Sequence, residues 1–166
     1  MRFLKYPLLL LAVFIIGVLI MGGNNAYEYK EKSLILAPAD TTWKYLSDPQ
    51  YWQKWNNNIK TVSQSGEKQY EIIMRKPNKG KTHLQILKSS RDSMKIIAEW
   101  KNEDFTRLIQ WKIKPEMALC SLFVREQTRG NSFLSNARYA FEVEEQEEHT
   151  ISSYEKLRVL MGTKER

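Results

Sequence analysis

Residues that commonly do chemistry are scarce in this chain: two histidines, His83 and His149, and one cysteine, Cys120. A metal site needs several nitrogen or sulfur ligands that converge, and neither an H-E-x-x-H pattern nor a Cys/His cluster is present. In Thr82-His83-Leu84-Gln85-Ile86 the alternation puts Leu84 and Ile86 on one strand face and turns His83 towards solvent. His149 lies in a charged run. Cys120 sits in an apolar strand-like stretch, ALCSLFV; as a nucleophile it needs a paired base, and the sequence offers none, so it reads as a buried, inert thiol. Glu71 and Glu99 alternate with apolar neighbours and should face outward, which leaves no general acid or base inside the fold. The expectation is no catalytic residue, no cofactor, no metal and no phosphate-binding glycine loop.

What the chain does concentrate is indole. Three of its five tryptophans, Trp43, Trp52 and Trp55, fall within LAPADTTWKYLSDPQYWQKWNNNI, residues 36–59. Pro38 and Asp40 mark a helix start, and Trp43 and Leu46 share its face. Ser47-Asp48-Pro49 stops that helix and caps a second short one carrying Trp52 and Trp55, which the asparagine run ends. The indoles either pack two short helices onto a sheet or line the mouth of a cavity; aromatic area favours the first.

The elements that must position these residues are mostly strands. YEYKEKSLILA (27–37) is β-like. From Ile59 onward six short runs follow, with turns expected at Ser65-Gly66, Pro77–Gly80, Ser90–Asp92, Lys101–Asp104, Lys114–Glu116 and Arg129–Asn131. Together they make a seven-stranded antiparallel sheet. Ile151, Tyr154, Leu157 and Leu160 recur at i+3 in a C-terminal helix that begins as early as Ser132 or after a break near Glu144. A sheet with one apolar face needs a cover, and this helix is the element long enough to supply it. One wall of the space between would be Tyr70, Ile72, Met74, Leu84, Ile86, Met94, Ile96, Ala98, Trp100, Ile109, Trp111 and Ile113; the other would be the helix stripe.

The N-terminus differs from the rest. Arg2 and Lys5 precede an uncharged stretch from Tyr6 to Gly23. Its eighteen residues would run about 27 Å as a helix, against about 30 Å of hydrocarbon. The apolar region is long for a cleavable signal, and Asn24-Asn25-Ala26 is a poor cleavage site. Residues 1–23 are therefore expected to form an uncleaved single-pass anchor in the plasma (inner) membrane, through residues 6–23. The N-terminus would be cytoplasmic, 24–26 a hinge, and 27–166 an extracytoplasmic domain. The chain carries 26 basic against 19 acidic residues, a formal charge of +7. Arg75, Lys76, Lys79 and Lys81 flank the Pro77–Gly80 turn, as a solvated tip or a contact for anionic headgroups. No nucleic-acid-binding motif is present.

Ala37, Pro38, Trp43, Leu46, Asp48, Pro49, Trp52 and Trp55, following the strand SLIL, resemble the opening of the SRPBCC, or START-like, superfamily. Its Bet v 1-like helix-grip members include polyketide cyclase/dehydrase-type proteins. Leu108–Ile113 resembles a late strand of the same proteins. The resemblance spans roughly residues 28–161. It implies an α+β helix-grip fold: a seven-stranded antiparallel sheet wrapped around a long C-terminal helix, with two short helices after strand 1. A single membrane helix before such a domain resembles a bacterial subset. The resemblance further implies a hydrophobic or amphipathic small molecule or lipid held between sheet and last helix. Tyr70, Ile72, Met74, Leu84, Ile86, Ile96, Trp100, Ile109, Trp111, Tyr154 and Leu157 would line the cavity. Two other classes stay open, a structural or regulatory domain with a filled core and a cyclase- or dehydrase-like enzyme. An open apolar cavity favours binding, a buried ionisable pair within it favours an enzyme, and no cavity favours a filled core.

Overall fold

Where apolar residues alternate, strands form, and where they recur at helical spacing, helices cover them. A computed structural model describes residues 5–21, 27–75 and 81–162. Helix α1 (Lys5–Met21) comes first, then strand β1 (Tyr27–Ile35) and helix α2 (Ala39–Ser47). A 3₁₀ turn (Pro49–Tyr51) runs into the single turn of α3 (Trp52–Trp55). Six strands follow: β2 (Ile59–Gly66), β3 (Gln69–Met74), β4 (Lys81–Ser90), β5 (Lys95–Lys101), β6 (Phe105–Glu116) and β7 (Leu119–Gly130), and α4 (Phe133–Gly162) ends the order. The seven strands form one sheet in the order β1-β7-β6-β5-β4-β3-β2. Every neighbouring pair is antiparallel.

Strand alternation translates into burial as expected. Ile72, Leu84, Ile86, Ile96, Ala98, Trp100, Ile109, Trp111 and Ile113 all lie in the core, with Tyr70, Met74 and Met94 packed against it. His83 is exposed and Cys120 is buried against the Thr42 hydroxyl, 3.2 Å away. Burial pushes the Cys120 thiol's pKa up, consistent with an inert group. Trp52 and Trp55 are fully buried and Trp43 half-buried. The Trp52 indole donates to the Leu46 carbonyl at 3.0 Å and that of Trp55 to the Tyr45 carbonyl at 3.4 Å. Trp52 stacks on Trp100 with ring centres 5.7 Å apart and meets Trp111 edge-on at 5.1 Å. The asparagine run does more than end the helices: Asn57 N–H donates to Ser153 Oγ at 3.1 Å and its side chain to Ser152 Oγ at 2.9 Å, tying α3 to α4.

Several expectations change. Pro38 precedes α2 rather than opening it. The β2–β3 turn is at Glu67-Lys68, not Ser65-Gly66, and the β6–β7 turn is at Met117-Ala118, not Lys114–Glu116. Lys68, Met94 and Met117 supply the left-handed turn conformations that a search for glycine overlooks. Pro115 lies inside β6, opposite Cys120, beyond Lys112, the last residue paired with β5; its missing N–H therefore falls where β6 has a neighbour on one side only. Ser132 Oγ accepts the Ser135 N–H at 3.1 Å, a cap that starts α4 there, and the helix runs without a break through Glu144.

Ile151 is exposed, not part of the helix wall, and Leu160 is half-buried. A step of three residues turns a helix by about 300°, so a strict i+3 series drifts about 60° per step. Tyr154 and Leu157 straddle the buried face, which Gln146, Thr150, Ser153 and Met161 complete, and the ends of the series rotate off it. Among the described residues no helix is long and apolar enough to cross a membrane. The described part of helix α1 runs 17 residues, Lys5–Met21, about 26 Å; residues 22 and 23 of the expected span lie outside the described residues. Arg2, the 24–26 hinge and the Pro77–Gly80 turn with Lys76 and Lys79 lie outside the described residues. Of that basic cluster, Lys81 pairs with Glu71 at 2.7 Å and Arg75 donates to the Ile59 carbonyl at 3.0 Å.

Candidate functional site

The inner face of β6 runs Phe105, Arg107, Ile109, Trp111, Ile113, and that of β7 runs Thr128, Glu126, Val124, Leu122, Cys120 beside it. At the Trp111–Ile113 end, α2, α3 and the C-terminal half of α4 fill the space with Leu46, Trp52, Trp55, Leu157 and Met161. At the Phe105–Arg107 end Thr82, Arg107 and Thr128 interrupt the apolar surface, and space opens.

A cavity of about 390 Å³ lies between this end of the sheet and the N-terminal half of α4. Met74, Thr82, Trp100, Phe105, Arg107 and Thr128 form its sheet wall, Tyr139 and Gln146 its helix wall. Asn58, Lys81, Asn102, Glu103, Asp104 and Arg138 form its rim. A second space of about 140 Å³ lies on the β1 side of Arg107 and Tyr139, bordered by Tyr29, Glu126 and Thr150. A void of about 10 Å³ sits deeper, among Trp100, Ile109, Trp111, Glu126 and Tyr154.

A hydrogen-bonded chain separates the cavity from the filled end. Trp111 Nε1 donates to the Tyr154 hydroxyl at 3.0 Å, and that hydroxyl donates to Glu126 Oε1 at 2.7 Å. Arg107 Nη1 lies 3.7 Å from Glu126 Oε2, with Arg107 and Glu126 side chains only 17% and 8% exposed. Arg107 Nε donates to Thr128 Oγ1 at 3.1 Å. Burial, and then the Glu126 charge, hold the Tyr154 phenol well above its ordinary pKa. Its proton is committed to Glu126 rather than available to a guest. At the rim, Arg138 pairs with Glu142 at 2.9 Å and Asp104 at 3.4 Å.

Of the residues expected to line a cavity, Met74 and Trp100 border the large one. Ile109, Trp111 and Tyr154, with Trp100, border the 10 Å³ void. Ile72, Leu84, Ile86, Ile96 and Leu157 are packed in the dry core, and Tyr70 lies against it. Arg107, Glu126, Thr128, Tyr139 and Gln146 were not among the expected residues. Alternation alone could have found the strand members: Arg107 is in phase with Ile109 and Trp111, Glu126 and Thr128 with Leu122 and Val124. Among the described residues no group of three or more His, Cys, Asp or Glu side chains could hold a metal ion.

No family model and no curated protein matches the chain by sequence. Solved structures do match by fold. A START superfamily protein from Mycobacterium smegmatis superposes with a TM-score of 0.64 at 14% identity, covering 82% of this chain and 99% of that one. A conserved protein from Geobacillus kaustophilus gives 0.65 at 11%, covering 81% and 95%. The Zhui aromatase/cyclase from a Streptomyces species gives 0.64 at 11%, covering 82% and 94%. The chain has the START-like helix-grip fold, including the seven-stranded antiparallel sheet and the long C-terminal helix.

Proposed function

We propose that the domain binds an amphipathic small molecule or lipid in the cavity between the sheet and α4. One observation carries this reading: about 390 Å³ of space, within the roughly 300–1,000 Å³ range of small-molecule sites. Its wall combines Met74, Trp100 and Phe105 with Arg107, Thr128 and Gln146, so a guest would meet both apolar and polar surface. The cavity weighs against a core filled throughout. The buried Arg107–Glu126 pair is the feature that would favour an enzyme. Its members are already satisfied by Thr128 and Tyr154, however, and they present no free base. Binding is the simpler reading.

The same proposal places the domain at a membrane, held through residues 6–23 with the N-terminus cytoplasmic and the domain outside. Its support is the basic pair Arg2 and Lys5 before an uncharged stretch, and the exposed apolar side chains of α1, Leu9, Leu10, Phe14 and Ile16 among them.

The test is native mass spectrometry of the full chain in lipid nanodiscs, followed by extraction of retained molecules. Wild type should retain a discrete small molecule, and Thr82→Trp, which projects a large ring into the cavity, should not. Equal retention by both proteins, or none by wild type even after incubation with a lipid extract, refutes the binding reading.

A further inference from the structure

The sheet topology decides which end of the domain meets the N-terminal helix. In this antiparallel order β1, β4 and β6 start, and β3, β5 and β7 finish, at the same end. Tyr27, the first residue of β1, lies opposite Thr128 of β7, and Thr128 lies opposite Arg107 of β6. Thr128 and Arg107 border the large cavity, and the Tyr27 ring packs on Tyr139 of its helix wall, with centres 4.9 Å apart. The chain therefore enters the domain at the cavity end. Six Cα steps lead from Met21 of α1 to Tyr27, and they bridge at most about 22 Å. The opposite end is far from this point, since β6 runs from Phe105 to Glu116, about 37 Å. A bilayer that holds α1 is reached by the cavity end before the Met117-Ala118 end.

The cavity end carries side chains suited to a lipid surface. The Asn131 N–H donates to the Asp104 carbonyl at 2.7 Å, which sets the start of α4 against the cavity rim. There Phe133 is 40% exposed and Leu134 72%. Lys101 and Arg129 both lie opposite Thr106 near the last rungs of β5 and β7, and both are exposed. Two other cations of this end are already matched: Lys81 by Glu71, and Arg138 by Glu142 and Asp104. Among the described residues the exposed Arg75, Lys101 and Arg129 have no carboxylate partner, against Glu103 in the β5–β6 turn without a cationic one. Exposed apolar side chains flanked by surplus cations are what a headgroup layer attracts.

We propose that this end of the domain docks on the surface of the bilayer that holds α1. Phe133 and Leu134 enter the headgroup layer, and Arg75, Lys101 and Arg129 face lipid phosphates. The inference rests on the membrane attachment proposed above and gives it an orientation. The rim formed by Lys81, Asn102, Asp104 and Arg138 faces lipid, and the α2–α3 end faces away. A guest then passes between cavity and bilayer without crossing bulk water.

The test uses the full chain in nanodiscs of phosphatidylcholine and phosphatidylglycerol in equal parts, with and without a lipid bearing a nitroxide on its headgroup. A fluorophore is attached to Glu103→Cys, on the rim, or to Ala118→Cys, in the opposite turn; both positions are exposed, and the native Cys120 is buried. The label at position 103 should be quenched by the nitroxide lipid and the label at position 118 should not. Phe133→Ser with Leu134→Ser, both at exposed positions, should remove most of the quenching at position 103 while the chain still co-purifies with the nanodiscs. No quenching at position 103, quenching at position 118 as strong or stronger, or undiminished quenching in the double variant overturns the docking and leaves attachment and guest binding standing. A chain that does not co-purify with the nanodiscs refutes the attachment and the docking together.

Discussion

Replacing Tyr154 by Phe removes one oxygen from the centre of the hydrogen-bonded chain and leaves the ring in place. The ring's own contacts, Trp55 at 5.7 Å and Tyr29 at 6.4 Å between centres, would be unaffected. Two bonds vanish: the hydroxyl's donation to Glu126 at 2.7 Å and its acceptance from Trp111 at 3.0 Å. Hydrogen bonds to charged groups contribute about 1.5–3 kcal/mol and neutral ones about 0.5–1.5 kcal/mol, and a buried group left unpaired costs about 1–3 kcal/mol. The adjoining void, about 10 Å³, lies at the lower limit for a water; the missing hydroxyl enlarges it enough for one to enter and re-pair part of the chain. The expected loss is therefore about 2–4 kcal/mol, below the simple sum. Urea unfolding of the full chain in nanodiscs, followed by tryptophan fluorescence, measures it, with the slope checked for constancy. A second variant, Glu126→Gln in the Tyr154→Phe background, should cost less than it does alone, because the bond it weakens is already gone. Additive losses, or a Tyr154→Phe protein within about 0.5 kcal/mol of wild type, would refute the view that this chain is a stabilising unit.

Four further outcomes can be checked. Trp52→Ala empties a fully buried site and should cost about 3–5 kcal/mol by thermal or urea unfolding; an unchanged melting temperature with lost binding would move the indole from core to site. Gly130→Ala puts a Cβ 2.3 Å from the Asn136 backbone nitrogen and must push the β7–α4 junction apart; the expected cost is about 1–3 kcal/mol with weakened retention of the guest, and a neutral effect on both would contradict the close approach. At alkaline pH, Tyr154 keeps its proton in the folded protein after the unfolded chain has lost it, because its folded pKa is raised. Its contribution is thus full below about pH 10, and stability should fall above that by about 1.4 kcal/mol per pH unit while the two states differ by that proton. Tyr154→Phe should flatten this limb relative to wild type, and an unchanged limb would count against it. A reporter fused after Arg166 should be active outside the cytoplasm only; cytoplasmic activity would overturn the proposed topology.

The sheet was legible in the sequence because period-2 alternation is a strong signal wherever one face is buried. Leu84, Ile86, Ile96, Ala98, Ile109 and Trp111 all face the core as that rule requires. The short helices were legible through Asp48, whose carboxylate accepts the Gln50 N–H at 3.0 Å. The turns were less so, since Lys68, Met94 and Met117 adopt positive φ without being glycine. The cavity was misjudged for a different reason. The expected apolar series along β6 starts at Ile109, and no series covers β7, although Arg107 and Glu126 obey the same alternation as their apolar neighbours. A charged residue in phase with an apolar strand face must be paired, and Tyr154 and Thr128 meet that need.

The apolar residues taken for a cavity wall mostly close the fold instead. Along β6 and β7, Trp111, Ile113 and Leu122 have bulk enough to meet Trp52, Leu157 and Met161, so that end packs dry. Thr82 and Thr128 are too short to reach α4, and Arg107 is held sideways by Thr128 and Glu126, so they leave the space beneath Gln146 and Tyr139 unfilled. The boundary between the two ends is the step from Trp111 and Tyr154 to Glu126. It follows that enlarging a residue on the Arg107 side should abolish binding with little loss of stability. Shrinking one on the Trp111 side should do the reverse.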